Sequence, residues 1–307
     1  AKALSMRRHY CTLFDRNYLF KGIALYRSLE EFGGDFILHI LCMDDVTYAL
    51  LDRMTLERAQ LIRREDFEDP DLIRVKPTRT VAEFCWTCTP SLPLYVLRTH
   101  PDVDLITYLD ADLYFFSSPK PIFTEFGDQS ILIVEHKFSP QFSELAVNGK
   151  YNVEWLTFRR DELGMAALTW WRERCLEWCY YRLEDGKLGD QKYLDDWPER
   201  FRGVHVLNNV GGGVAPWNMS SYSVTLQDAH VYVDGTPLIF FHFHKFRILT
   251  PTLFSEVPPM YAEAGGLPGP IFDDYSRSLH TAIEDVRRIE PRFSDGIELR
   301  GLKGYGM

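Results

Sequence analysis

A chain of 307 residues, 46% of them hydrophobic, is long enough to bury a substantial α/β core. Its formal net charge of −10 lacks the surplus of Lys and Arg that neutralises phosphates in nucleic-acid binding, so a nucleic-acid partner is excluded. No apolar run approaches the roughly 20 residues that cross a bilayer, and the opening Ala1 to Met6 has no apolar signal core, so a soluble, cytoplasmic protein with no transmembrane segment is expected.

His9 to Phe14 predicts a strand. After Asp15-Arg16-Asn17-Tyr18 comes a helix with Leu19, Ile23, Tyr26 and Leu29 at helical spacing, stopped by Gly33-Gly34. Phe36 to Met43 is a near-continuous apolar run ending at Asp44-Asp45, as in a strand buried on both faces of a parallel sheet, and a βαβ opening follows. The pattern is helical from Val46 to Ala59 and again from Val81 to Arg98, the second helix broken around Pro90 and Pro93. Leu105 to Leu109, Ile131 to Val134 and Tyr151 to Phe158 predict strands. Glu162 to Leu183 predicts a long helix with Leu163, Ala167, Trp170, Trp171 and Trp178 toward the core. Phe201 to Leu207 and Leu238 to Phe243 complete the strands.

Beyond Thr250 the prolines 251, 258, 259, 268 and 270 and the glycines 265, 266 and 269 mark an extended arm. Asp274 to Ile289 then carries Leu279, Ile283, Val286 and Ile289 on one helical face that must dock on something. The division is a catalytic domain over 1–250 and an arm with an amphipathic helix over 251–307. That arm is a candidate surface for homo-oligomerisation or for peripheral contact with a membrane glycolipid. The six cysteines lie among apolar residues and read as buried reduced thiols; Cys85-x-x-Cys88 with Cys175 and Cys179 is the weaker alternative, a zinc site.

The strongest local signal is Tyr108-Leu109-Asp110-Ala111-Asp112. A hydrophobic strand ends in carboxylates at i and i+2, which lie on one side of an extended chain and can share one divalent ion. Carboxylate oxygens suit Mg²⁺ or Mn²⁺, which bridge diphosphate oxygens. Late in the chain His242-Phe243-His244-Lys245 repeats the arrangement: both imidazoles face one way and are candidate metal ligands, and Lys245 is a candidate for phosphate. Gly211-Gly212-Gly213 allows close backbone approach to a ligand but has neither phosphate-loop nor dinucleotide spacing. That loop and Asn218 are candidates to border a sugar.

Over about residues 9 to 250 the chain resembles the retaining glycosyltransferases of the GT-A type, close to family 8, which includes glycogenin-like and bacterial lipopolysaccharide sugar transferases. The resemblance implies an α/β fold with a Rossmann-like mixed sheet flanked by helices, a UDP-sugar donor, a Mn²⁺ or Mg²⁺ cofactor on Asp110 and Asp112, and transfer of a hexose or N-acetylhexosamine. The acceptor is a glycan, glycolipid or protein hydroxyl. By resemblance Phe14, Asp15, Asn17 and Tyr18 hold the nucleoside, with Tyr18 stacking on uracil. Ala111 and Asn152 lie along the donor, Asp190 holds donor hydroxyls, and Gln191 is near the anomeric carbon. Glu154 stands where the family usually has a small residue, often Gly, and Ser91 falls where it has a basic one, leaving Arg79 and Arg247 as phosphate candidates. Rival readings are a nucleotidyltransferase, a sugar-nucleotide hydrolase, or a non-catalytic sugar-binding module on this fold.

Overall fold

A computed structural model describes residues 7–255 and 259–299; Pro258 and the first six residues lie outside it. The chain opens with β1 (Arg8–Phe14), α1 (Leu19–Phe32), β2 (Phe36–Cys42), α2 (Asp45–Met54) and β3 (Ala59–Arg63). Short α3 (Arg64–Phe67) and α4 (Pro70–Val75) lead to α5 (Val81–Cys88) and α6 (Ser91–Thr99). Then follow β4 (Leu105–Leu109), β5 (Leu113–Phe115), α7 (Lys120–Phe126), β6 (Ile131–Glu135), β7 (Tyr151–Arg159) and α8 (Glu162–Glu177). The remainder is α9 (Trp197–Arg200), β8 (Val204–Val206), β9 (Val224–Gln227), β10 (His230–Val233), β11 (Thr236–Pro237), β12 (Phe240–His242), β13 (Arg247–Thr250), β14 (Leu253–Ser255) and α10 (Gly269–Ile289).

Seven strands form the central sheet in the order β3-β2-β1-β4-β7-β6-β8. The strands β3, β2, β1 and β4 run parallel, and β7 enters antiparallel between β4 and β6, so the sheet is mixed as expected. Alternation along the strands feeds two apolar layers. Tyr10 and Phe14 point into the layer beneath α1 and α10, Cys11 and Leu13 into the layer beneath α6 and α8.

Several boundaries move for identifiable reasons. The helix expected over Val46 to Ala59 ends at Met54, where Thr55 turns left-handed at φ 50°, and Ala59 instead starts the edge strand β3. The long helix ends at Glu177 rather than Leu183, because Trp178 is extended and the Arg79 guanidinium caps the carbonyls of Cys175 and Leu176. The break at Pro90 and Pro93 divides α5 from α6, with Pro93 in the first turn, where a missing N–H costs nothing. The three-stranded sheet β9 to β11 and the β13–β14 hairpin have no counterpart in the sequence reading.

The C-terminal helix docks on the chain's own α1 and α2. Leu279, Ile283 and Val286 are buried there, Tyr275 stacks on Phe243 at 3.7 Å, and Arg27 of α1 pairs with Asp285. Past α10 the chain returns to the turn that follows β1, where Ile297 bridges Ile248 and Gly296 lies against the carbonyl of Asn17. No helix among the described residues is long and apolar enough to cross a membrane.

Docking of α10 makes a stability prediction. Leu279→Ala removes a fully buried side chain and is expected to cost about 2–4 kcal/mol in chemical denaturation, against about 0.5 kcal/mol or less for Arg277→Ala on the exposed face. Equal effects would contradict the docking of this face.

Candidate active site

Parallel pairing decides where the chemistry-bearing residues meet. In β1 and β4, His9 pairs with Ile106 and Cys11 with Tyr108, so Phe14-Asp15 and Leu109-Asp110 leave the sheet at the same edge. That edge, at the carboxyl ends of parallel strands, is where open α/β sheets bind ligands. Antiparallel β7 starts at the same edge: Leu109 pairs with Trp155, and the Asp110 N–H donates to the Glu154 carbonyl at 3.0 Å. Finally β12 pairs with β5 with His242 opposite Leu113, and the Phe243 N–H donates to the Asp112 carbonyl at 2.9 Å. Two segments 130 residues apart in numbering, as 242 less 112, are thereby placed side by side.

The result is a nearly dry cluster of acids and imidazoles. His242 Nε2 stands 3.1 Å from Asp112 Oδ1 and 3.8 Å from Asp110 Oδ2, while His242 Nδ1 is 2.6 Å from Glu154 Oε2. Side-chain atoms of Asp112, His242 and His244 lie within 4.8 Å of one another, the only such group among the described residues that could hold a metal ion. Trp217 walls the cluster, its ring 5.2 Å from His242 and 5.5 Å from His244. The thiols of Cys85, Cys88, Cys175 and Cys179 form no metal-sized group, and burial pushes those of Cys85, Cys88 and Cys175 up, so the zinc alternative fails.

Electrostatics follow from that burial. Desolvation drives the Asp110 carboxyl well above the usual range, with neighbouring Asp112 and Glu154 adding to the rise and His242 opposing it. Burial would also raise Asp112, but the His242 imidazolium holds it below its ordinary value. His242 is the converse case: burial would strip its proton, yet Asp112 and Glu154 keep it charged well above the usual range. Burial and the charge on His242 lower His244 to about 3, leaving it neutral with a lone pair available. Asp190 is pushed up to about 7 by burial and by Asp110, which places it beside the cluster.

Other predicted residues divide by location. Asp15 caps the turn Arg16–Tyr18 by accepting from the Asn17 N–H at 2.9 Å and the Asn17 amide at 3.2 Å, leaving both at the accessible edge. Tyr18 is 41% exposed, with the Lys21 ammonium 4.5 Å from its ring centre. Phe14 differs: its ring is buried against Gly22 in the core, so only its backbone reaches the edge. Ala111 is buried between the two aspartates. Asn152 Oδ1 accepts from the Glu154 N–H at 2.7 Å. Asp190 follows Gly189, whose φ of 52° favours a glycine and which lies under the Trp86 ring. The Gln191 amide donates to the Asn148 carbonyl at 3.4 Å. Lys245 is exposed, its backbone left-handed at φ 56°.

Two expectations are corrected. Arg79 is committed to the end of α8 and Arg247 to an ion pair with Glu298, so neither faces the cluster. Besides Lys245, whose charge bears on His244, the cluster is faced by Lys21, buried in the first turn of α1 and acting on Asp112. Its signal was a lysine among the apolar positions Leu19, Phe20 and Ile23. Asn218, buried, braces its own loop by accepting from the Ala215 N–H and donating to the His136 and Gly213 carbonyls.

No family model matches the sequence. It is 33% identical over 291 residues to YfnD of Bacillus subtilis strain 168, covering 94% of each chain. To YfnF of the same strain it is 31% identical over 297 residues, covering 94% of this chain and 97% of the other; both are described as uncharacterised proteins. Among solved structures, the galactosyltransferase LgtC, in complex with donor and acceptor sugar analogs, superposes with a TM-score of 0.54 over 87% of this chain and 99% of its own, at 14% identity. The shared architecture is the GT-A fold.

Protons held by Asp110 and His242 must leave before either can ligate a metal. If the cluster takes a divalent ion, its affinity is expected to rise as pH passes the Asp110 value of about 7, with proton release measured by calorimetry in buffers of different ionisation enthalpy. A pH-independent affinity without proton release would contradict this charge assignment.

Proposed function

Because the chain belongs to the family of Bacillus subtilis YfnD and YfnF and has the GT-A glycosyltransferase fold, we propose that it transfers a sugar from a nucleotide donor. In this reading the donor is a UDP-hexose or UDP-N-acetylhexosamine, the acceptor a glycan, glycolipid or protein hydroxyl, and the cofactor Mn²⁺ or Mg²⁺. One observation carries it: Asp110 and Asp112 meet His242 and His244 at the carboxyl edge of the parallel strands.

The donor set fits a divalent ion. Two carboxylates and two imidazoles converge, one imidazole neutral, and the charge now balancing the acids is a proton on His242. Asp110, Asp112, His242 and His244 would hold the ion, which when bound neutralises diphosphate oxygens and so stabilises charge on the departing nucleoside diphosphate.

The chain's own residues supply the rest. Asp15 and Asn17 offer polar groups to the base, and Tyr18 offers a partly exposed ring for stacking, steadied by Lys21. Lys21 and Lys245 are the cations at hand for phosphate. Asp190, protonated more readily than an ordinary carboxyl, can both donate to and accept from sugar hydroxyls, with Asn152 and Gln191 completing the donor subsite. Gln191 is a poor nucleophile, which favours attack by the acceptor hydroxyl from the leaving group's own face. The acceptor oxygen bonds to the anomeric carbon as the bond to the β-phosphate oxygen breaks. The electron pair leaves with the nucleoside diphosphate, whose oxygen takes the acceptor's proton, and configuration is retained. The second half of the chain and the segment after Thr250 form the acceptor side.

Calorimetric titration of UDP tests this reading. Binding is expected with Mn²⁺ and is expected to be lost with chelator or in Asp110→Ala/Asp112→Ala. Binding indifferent to metal, or no binding by the wild type, would contradict the donor assignment.

A further inference from the structure

We propose that Glu154 is the positioning residue of this site: its carboxylate fixes the tautomer and orientation of His242 so that Nε2 faces the metal position. The inference rests on the metal-dependent reading above.

Glu154 is itself pinned on both sides. Its N–H donates to Asn152 Oδ1 at 2.7 Å, and its carbonyl accepts from the Asp110 N–H at 3.0 Å, which ties it to the strand end carrying the aspartates. From there Oε2 reaches His242 Nδ1 at 2.6 Å, with both side chains at most 4% exposed. A carboxylate at that distance makes Nδ1 the donor. The opposite nitrogen then points at Asp112 Oδ1, 3.1 Å away, and once its proton is displaced its lone pair is directed into the cluster.

The other carboxylate oxygen explains a glycine. Gly213 has φ 86°, and a Cβ there would stand 3.2 Å from Glu154 Oε1 and 2.7 Å from Val134 Cγ1. The glycine loop thus makes room for Glu154 where a larger residue would collide. Glu154 is only 1% exposed and sits behind His242, so it has no access to a sugar and is not a nucleophile. A side chain out of place for a small-residue position becomes the support of a histidine on another strand.

The test compares Mn²⁺ affinity and pulsed-EPR nitrogen coupling of bound Mn²⁺ in the wild type, Glu154→Gln, Glu154→Ala and Glu154→Asp, with thermal unfolding of each metal-free protein. Glu154→Ala is expected to weaken Mn²⁺ binding about 10- to 100-fold and to lose or alter the imidazole coupling while the metal-free protein remains folded. Glu154→Gln, whose amide oxygen accepts the same Nδ1–H, is expected to keep the coupling and most of the affinity. Should Glu154→Ala fail to fold, Glu154→Asp, shorter by one methylene, is expected to show the same loss in part. Wild-type affinity and coupling in the folded Ala or Asp variant would overturn the proposal. So would a Gln variant as impaired as Ala. A wild type that binds no Mn²⁺ overturns the metal reading, and the proposal with it.

Discussion

The acids Asp110, Asp112 and Glu154 converge on one buried imidazole, and negative charge held so far out of water is stable only with compensating positive charge. Here His242 supplies it, held protonated by the acids it separates. The arrangement is satisfied but poised. One face of the imidazole is fixed by Glu154, and the other carries a proton that a divalent ion can replace.

The fold exists around that constraint in a literal sense. The residues of the cluster arrive on three backbone segments, and every segment is fixed in register by strand pairing: β4 to β1, β7 to β4, β12 to β5. Strand register is specified by which face is buried, so a one-residue slip of β4 would displace the turn that carries Asp110 and Asp112. Trp155 stacked on Phe240 at 5.4 Å locks β7 against β12 just beneath the Glu154–His242 contact, so apolar packing holds the polar geometry. The C-terminal helix, buried on α1, brings the following segment back beside Asn17, which couples the end of the chain to the accessible edge.

What the sequence made legible was local. The opening βαβ unit and the break between α5 and α6 could be read from apolar spacing and proline, and the two motifs from their place after apolar strands, but Asp110 to Asp112 form a turn between β4 and β5 and His244 lies in the turn after β12, so strand period does not set how these side chains face. What it hid was set by distant partners. The end of α8 depends on Arg79, nearly a hundred positions earlier, and the edge strand β3 is too polar to stand out from the helix before it. Glu154 read as a misfit because its partner lies 88 positions away in sequence and is met only through two separate strand pairings. Lys21 was passed over for a related reason: on a helix it is one lysine, and only the β4 terminus across from it gives its charge a purpose. Asn218, after the glycine run, is bound into its own loop by partners that local sequence does not announce.

The most direct test is a Mn²⁺ anomalous difference map from crystals grown with UDP. The account predicts one strong peak among the side chains of Asp110, Asp112, His242 and His244, beside the bound UDP. A peak elsewhere, or bound UDP with no metal beside it, would contradict it.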